Sequence, residues 1–162
     1  MQTNVKIAGW HPAVHGAVEL LQGGIHREII TGAIARHQAG MPAGAHSVFL
    51  GQVRPDTVHG TAVEAIAYET YAPMAATTMR EIAAAARQRY RLSGVTLLHS
   101  VGAVRAGEIS LCVVASAAHR HEAQRATEWM VERVKHAVPI WKKLLLADGN
   151  ACWKDDNENT RP

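Results

Sequence analysis

Residues 109–143 read ISLCVVASAAHRHEAQRATEWMVERVKHAVPIWKK, and this stretch decides the fold. Ile109 to Ala117 is a nearly continuous apolar run. Its length and β-branched content predict a central strand buried on both faces. The pattern then changes period. Ala123, Thr127, Met130 and Val134 recur at helical spacing and define the buried face of a helix over Arg120–His136. Pro139 ends that helix and biases Val138 away from helical angles. A short extended piece follows through Trp141. Cations stand at both ends of the helix: His119 and Arg120 at its start, Lys135 at its end, Lys142 and Lys143 beyond its exit.

Working outward, Val95 to Val101 reads as a strand and Gly102 to Gly107 as a turn region. Ala62 to Tyr71 is a further strand, with Glu64, Ile66, Tyr68 and Thr70 on one face and Val63, Ala65 and Ala67 on the other. Pro73 opens a helix where proline is welcome, with Met79, Ile82, Ala83, Ala86 and Tyr90 as its apolar stripe. Ala45 to Leu50 is a strand, and Pro55 to Gly60 has the turn chemistry of a mobile surface loop. Gly40 to Gly44 is a loop, and Glu28 to His37 reads as a helix with Ile30, Ile34 and His37 on one side. Ala13 to Leu21 is ambiguous and broken by Gly23-Gly24. Val5 to Ala8 is a short strand candidate, Asp148-Gly149 a turn, and residues 155–162 a polar tail. Strands occur both in succession and around helices, which favours α+β over a doubly wound sheet.

The 162 residues fit one domain that can bury a core, spanning 1–162 with an atypical portion over 1–43. Apolar residues make up 48% and charged residues 19%. No apolar run approaches the ~18 residues of a membrane span. Cys112 and Cys152 show no pairing motif, so a cytoplasmic protein with reduced thiols is expected. A net charge of +3 favours an anionic small molecule or an acidic partner surface over a nucleic acid.

Chemistry-bearing motifs are mostly missing. There is no G-x-S-x-G, no glycine-rich phosphate loop and no Cys/His cluster with zinc spacing. His11 and His15 stand four apart, but no third ligand accompanies them, and no metal is expected. What remains is cationic. Arg54 follows a strand and enters the 55–60 loop. His119 and Arg120 mark a strand-to-helix junction, where free N–H groups and the helix dipole favour anions. Two lysines near one pocket, Lys135 and Lys142, would depress each other's pKa and suit one of them to donate a proton or stabilise an oxyanion. Arg120 and Lys135 are fifteen residues apart on one helix, about 22 Å at 1.5 Å per residue. No small ligand spans that. Either one end alone is a site, or a two-fold dimer joins the end of one protomer to the opposite end of another.

At these residues the sequence resembles the large, catalytic subunit of molybdopterin synthase. The resemblance runs from about Ala43 to Trp153. It is carried by Gly44-Ala45 leading to Phe49-x-Gly51-x-Val53-Arg54, by Tyr68-Glu69-x-Tyr71-x-x-Met74-Ala75, and by His99-x-x-Gly102 with Gly107-Glu108. Ser116-x-x-His119-Arg120 and Lys135-x-x-x-Pro139-Ile140-Trp141-Lys142-Lys143 complete it, with Asp148-Gly149 and Trp153 at the end. The resemblance implies an α+β hammerhead-type fold with an antiparallel sheet and packed helices. It implies a central homodimer, with a small ubiquitin-like sulfur-carrier subunit at each end making a heterotetramer. The small subunit's C-terminal Gly-Gly thiocarboxylate would pass sulfur to cyclic pyranopterin monophosphate, forming the dithiolene of molybdopterin, without a further cofactor. Lys135 and Lys142 match the family's catalytic lysines. Arg54, His119 and Arg120 match its substrate-binding positions, expected to hold the phosphate.

Two positions depart from the family pattern. Leu144 stands where an acid usually follows the lysines, and Ser100 where an arginine often follows the histidine. Residues 1–40 match poorly. The thiocarboxylate supplies the nucleophile, which accounts for a chain without a Ser, Cys or metal motif. The alternative is a non-catalytic paralogue that binds an acidic tail or phosphate ligand in the same groove. A weak nucleic-acid-binding module, with strongly salt-dependent binding, is the third reading.

Overall fold

The computed structural model describes residues 16–39 and 42–154. The Val5–Ala8 strand, the His11/His15 pair, residues 40–41 of the expected loop and the 155–162 tail lie outside the described residues. Eight strands form one sheet, which runs β2-β6-β5-β4-β7-β8, with β1 beside β5 and β3 beside β4. All pairings are antiparallel except β1 (Val18–Gln22) with β5 (Gly94–Arg105). Helix α1 (Arg27–Gln38) packs on one face through Ala33, Ile29 and Ile30 against Leu98, Cys112 and Val114. Helices α2 (Ala72–Tyr90) and α3 (Arg120–Ala137) cover the other, closing Met79, Ala83, Leu97, Val113, Ala126 and Met130 into the main core. The expected α+β architecture is what is found.

The deciding stretch folds as its pattern dictates. β6 (Ile109–Ala117) lies between β2 (Ala45–Gln52) and β5, buried on both faces from Ser110 onward. α3 buries Ala123, Thr127, Met130 and Val134, the four positions read from its period. α2 has proline in its first turn and buries Met79, Ile82, Ala83 and Ala86.

Long-range pairing changes four local readings. β5 does not stop at Val101: Gly102 takes φ +75° and the strand continues to Arg105, because β4 (Thr61–Thr70) pairs with it from Gly102 to Arg105. Pro55–Gly60, expected as a loop, contains β3 (Thr57–Val58). His59 and Gly60, at φ 49° and 83°, make the two-residue turn into β4, the positive-φ geometry that suits a tight hairpin. The extended piece after Pro139 is a full strand, β7 (Ile140–Leu146), laid along β4, and β8 (Ala151–Trp153) returns along it. Finally, a register shift between Val63 and Ala65 adds a residue to β4. Val63 therefore packs with Ile66, Tyr68, Val104 and Leu144 rather than on the opposite face.

Candidate functional site

The anion end is built at the close of β6. Ser116 Oγ lies 2.6 Å from His37 Nδ1 and 2.7 Å from His46 Nδ1, and His37 Nε2 lies 2.8 Å from Thr96 Oγ1. A hydroxyl has one hydrogen and two lone pairs, so Ser116 donates to at most one of the two rings and accepts from the other or from both. This network, buried at His37, Thr96 and Ser116 and exposed at His46, fastens α1, β2 and β5 to the strand that ends two residues before His119. Gly44 N–H donates to Ala117 O, and a side chain at Gly44 would run into the Ala118 carbonyl. His119 then serves as N-cap in extended geometry without a side-chain cap bond, and Arg120 is the first helical residue. Both side chains are exposed. They sit at the positive end of the helix dipole, where backbone N–H groups lack intrahelical acceptors.

The lysine end lies at the other terminus of the same helix. Lys135 is in its last turn, with Nζ 3.7 Å from Glu132 Oε1. It borders a groove of about 430 Å³ between α3 and β2, lined also by Ser47, Phe49, Thr127, Glu128 and Glu132. Two carboxylates face that groove, so it is not a phosphate pocket on its own. Arg54 stands just past β2, at a corner pinned by Val53 N–H to Glu108 O and Gly107 N–H to Val53 O. Its guanidinium is exposed and donates from Nη2 to Asp56 Oδ2 at 3.0 Å.

Lys142 is half-buried on β7, directly opposite Tyr68 of β4. Strand alternation puts it on the side of buried Leu144, while Lys143 turns to the other face, its ammonium 5.4 Å from the centre of the Trp153 ring. Lys143 is as half-buried as Lys142, so the face, not the exposure, separates the two. Beside Lys142 is a wall that sequence reasoning missed. Tyr68 meets the His99 ring edge-on at 5.2 Å, and its hydroxyl donates to Ser110 Oγ at 3.0 Å. Burial raises the Tyr68 pKa. His99 Nδ1 donates to Ser100 O at 2.8 Å. Burial above all, with the nearby Lys142 charge adding to it, lowers the His99 pKa to about 4, so the ring is neutral. The available signal was a lone histidine inside the apolar run Val95–Val101.

The structure therefore divides the five cations. His119 and Arg120 share one end of α3, and Lys135 occupies the other, about 22 Å away along a continuous helix. Among the described residues no three His, Cys, Asp or Glu side chains group as a metal would need, and no helix is long and apolar enough to cross a membrane.

Fold and geometry together define an α+β protein whose helix α3 carries His119 and Arg120 at its start and Lys135 at its end, with Lys142 on a separate strand. The family model for the MoaE protein matches residues 25–137, and the chain belongs to that family. It is 39% identical over 122 residues to the molybdopterin synthase catalytic subunit of Aspergillus clavatus, covering 75% of this chain and 61% of that protein. It is 35% identical over 118 residues to the molybdopterin synthase catalytic subunit of Bacillus subtilis, covering 73% and 74%. Among solved structures, molybdopterin synthase from Staphylococcus aureus superposes with a TM-score of 0.72 at 28% identity, covering 90% of this chain and 99% of that one. The chain spans less than two thirds of the length of the fungal relatives it matches.

Proposed function

We propose that this chain is the catalytic subunit of a cytoplasmic molybdopterin synthase. Sulfur passes from the C-terminal thiocarboxylate of a small ubiquitin-like partner to cyclic pyranopterin monophosphate, building the dithiolene. The observation that carries the reading is family membership with all five cationic positions present and accessible: Arg54, His119, Arg120, Lys135 and Lys142. His119 and Arg120 bind the substrate phosphate with Arg54. Lys135 and Lys142 stabilise charge that develops as sulfur adds, or donate the proton that follows. The partner's sulfur is the nucleophile, so this chain contributes position and charge.

The 22 Å between the ends of α3 calls for a homodimer, and β2 offers a surface for one. Among the described residues β2 pairs only with β6, leaving one edge open, and Val48 and Leu50 are exposed on it. A second copy added antiparallel about the strand's midpoint, near Val48 and Phe49, sets position 54 of one protomer beside position 43 of its partner. That is the end of the sheet where Gly44 bonds Ala117 and His119 begins α3. Arg54 and Lys135 of one protomer then complete a site with His119 and Arg120 of the other.

The test is incubation with cyclic pyranopterin monophosphate and a thiocarboxylated small subunit, assayed for molybdopterin. Product formation is expected. Binding of both without product identifies a non-catalytic paralogue instead.

A further inference from the structure

The wall beside Lys142 has a composition that its packing alone does not require. His99 is 6% exposed, on a strand that is otherwise apolar or hydroxyl-bearing from Val95 to Val101. Its Nδ1 faces the Ser100 carbonyl, which can only accept, so the ring hydrogen is on Nδ1. The ring is neutral, which leaves Nε2 with a lone pair and no hydrogen. The Tyr68 hydroxyl is held toward Ser110 by the hydrogen bond it donates, and its ring meets His99. Leu144, Ile66 and Val104 make the rest of this side apolar. Lys142 is opposite Tyr68 in the ladder, Tyr68 meets the His99 ring, and the Lys142 charge adds a lesser part to the lowering of the His99 pKa that burial dominates.

We propose that His99 is a positioning residue for Lys142: its Nε2 lone pair accepts from the Lys142 ammonium and orients it toward the reacting pterin. The choice of a neutral acceptor matters. A carboxylate in that place would pair with the lysine and cancel the charge a developing oxyanion needs. A neutral imidazole fixes the direction of the ammonium and leaves its full charge for the substrate.

The proposal rests on the synthase reading for its catalytic consequence, and the experiment has one arm independent of it. In the full chain, long-range proton–nitrogen NMR of the histidine rings reads the His99 tautomer and hydrogen bonding directly. The expected spectrum has Nδ1 protonated and Nε2 accepting, and Lys142→Met shifts Nε2 downfield while Nδ1 stays in place. A protonated Nε2, or an Nε2 resonance indifferent to Lys142→Met, overturns the proposal.

The second arm compares His99→Gln with His99→Asn in the sulfur-transfer assay. Glutamine carries an amide oxygen near the reach of Nε2; asparagine carries its amide near Nδ1 and offers Lys142 no acceptor at the Nε2 position. Loss of one such hydrogen bond predicts about a tenfold lower kcat for His99→Asn, with the glutamine variant recovering most of it and KM unchanged in both. Equal kcat in the two variants, or a change confined to KM, overturns the proposal. An inactive wild type sinks the synthase reading and leaves the NMR arm to decide this one.

Discussion

The two ends of α3 are both cationic, and they are not equivalent. At the N-terminal end Arg120 adds charge, beside His119 as N-cap, to a terminus that is already positive and whose first N–H groups lack intrahelical acceptors. Glu122, in the first turn, meets part of that field from within the chain, and the exposed remainder is suited to an anion from outside. At the C-terminal end Lys135 and His136 sit on the negative pole, with Glu132 beside both. There the field steadies a cation in place. In the proposed synthase one end would bind negative charge and the other would hold positive charge ready. Exchanging the two sets of side chains would weaken both.

The largest expected effect comes from the lysine end. Lys135→Ala or Lys142→Ala lowers the rate of molybdopterin formation by about 10²–10³-fold, the cost of removing one charge-stabilising donor, with an unchanged circular dichroism spectrum. Equal activity in these variants and in Lys143→Ala would remove the lysine end from the mechanism.

A second effect is on stability and concerns the wall beside Lys142. His99 has its folded pKa lowered to about 4 from 6.5, so the unfolded chain binds the extra proton first as pH falls. Its contribution is present above about pH 6.5 and is lost progressively toward pH 4, up to roughly 3 kcal/mol. Urea denaturation across that range should show the slope, and His99→Phe should flatten it. A wild-type stability independent of pH from 6.5 to 4 would mean that His99 is not held neutral behind its wall.

At the anion end, Arg54→Ala, His119→Ala and Arg120→Ala should each weaken substrate binding by about 1–3 kcal/mol, one charged hydrogen bond apiece. Calorimetric titration with the pterin monophosphate checks this, and undiminished affinity in all three dissolves the anion site.

The smallest change tests whether the two ends meet across a dimer. Inactive His119→Ala and Lys135→Ala homodimers, exchanged into heterodimers, regain about half of wild-type activity per heterodimer and about a quarter over the statistical mixture. One site then carries both defects and the other neither. A flat, inactive titration after verified exchange means that both residues work within one protomer.

Much of this was legible before the structure. β6 and α3 follow from a change of period at Ala118, and α2 from Pro73 and its alanine-rich stripe. The five cations stood out because little else in the chain could do chemistry. What escaped was decided across strands. Val63 changes face because β4 gains a residue against β7, and Gly102 stays in a strand because β4 holds it there. Lys142 and Lys143 look alike in sequence; only the register opposite Tyr68 and Ala67 assigns them to different faces. The Tyr68–His99 contact joins residues thirty-one apart, beyond the reach of any local pattern.

The open edge of β2 has a consequence for how the protein must be handled. Among the described residues β2 pairs only with β6, and its other row of amides and carbonyls, flanked by Val48 and Leu50, is a template for any extended chain. The proposed two-fold pairing would close it, because each copy would cap the other and no third could add. A lone protomer has no such closure. Dilution, or a lysine placed at Val48 to break the pairing, would therefore turn a self-limiting contact into an adhesive one, and light scattering during dilution should register clumping before any loss of secondary structure.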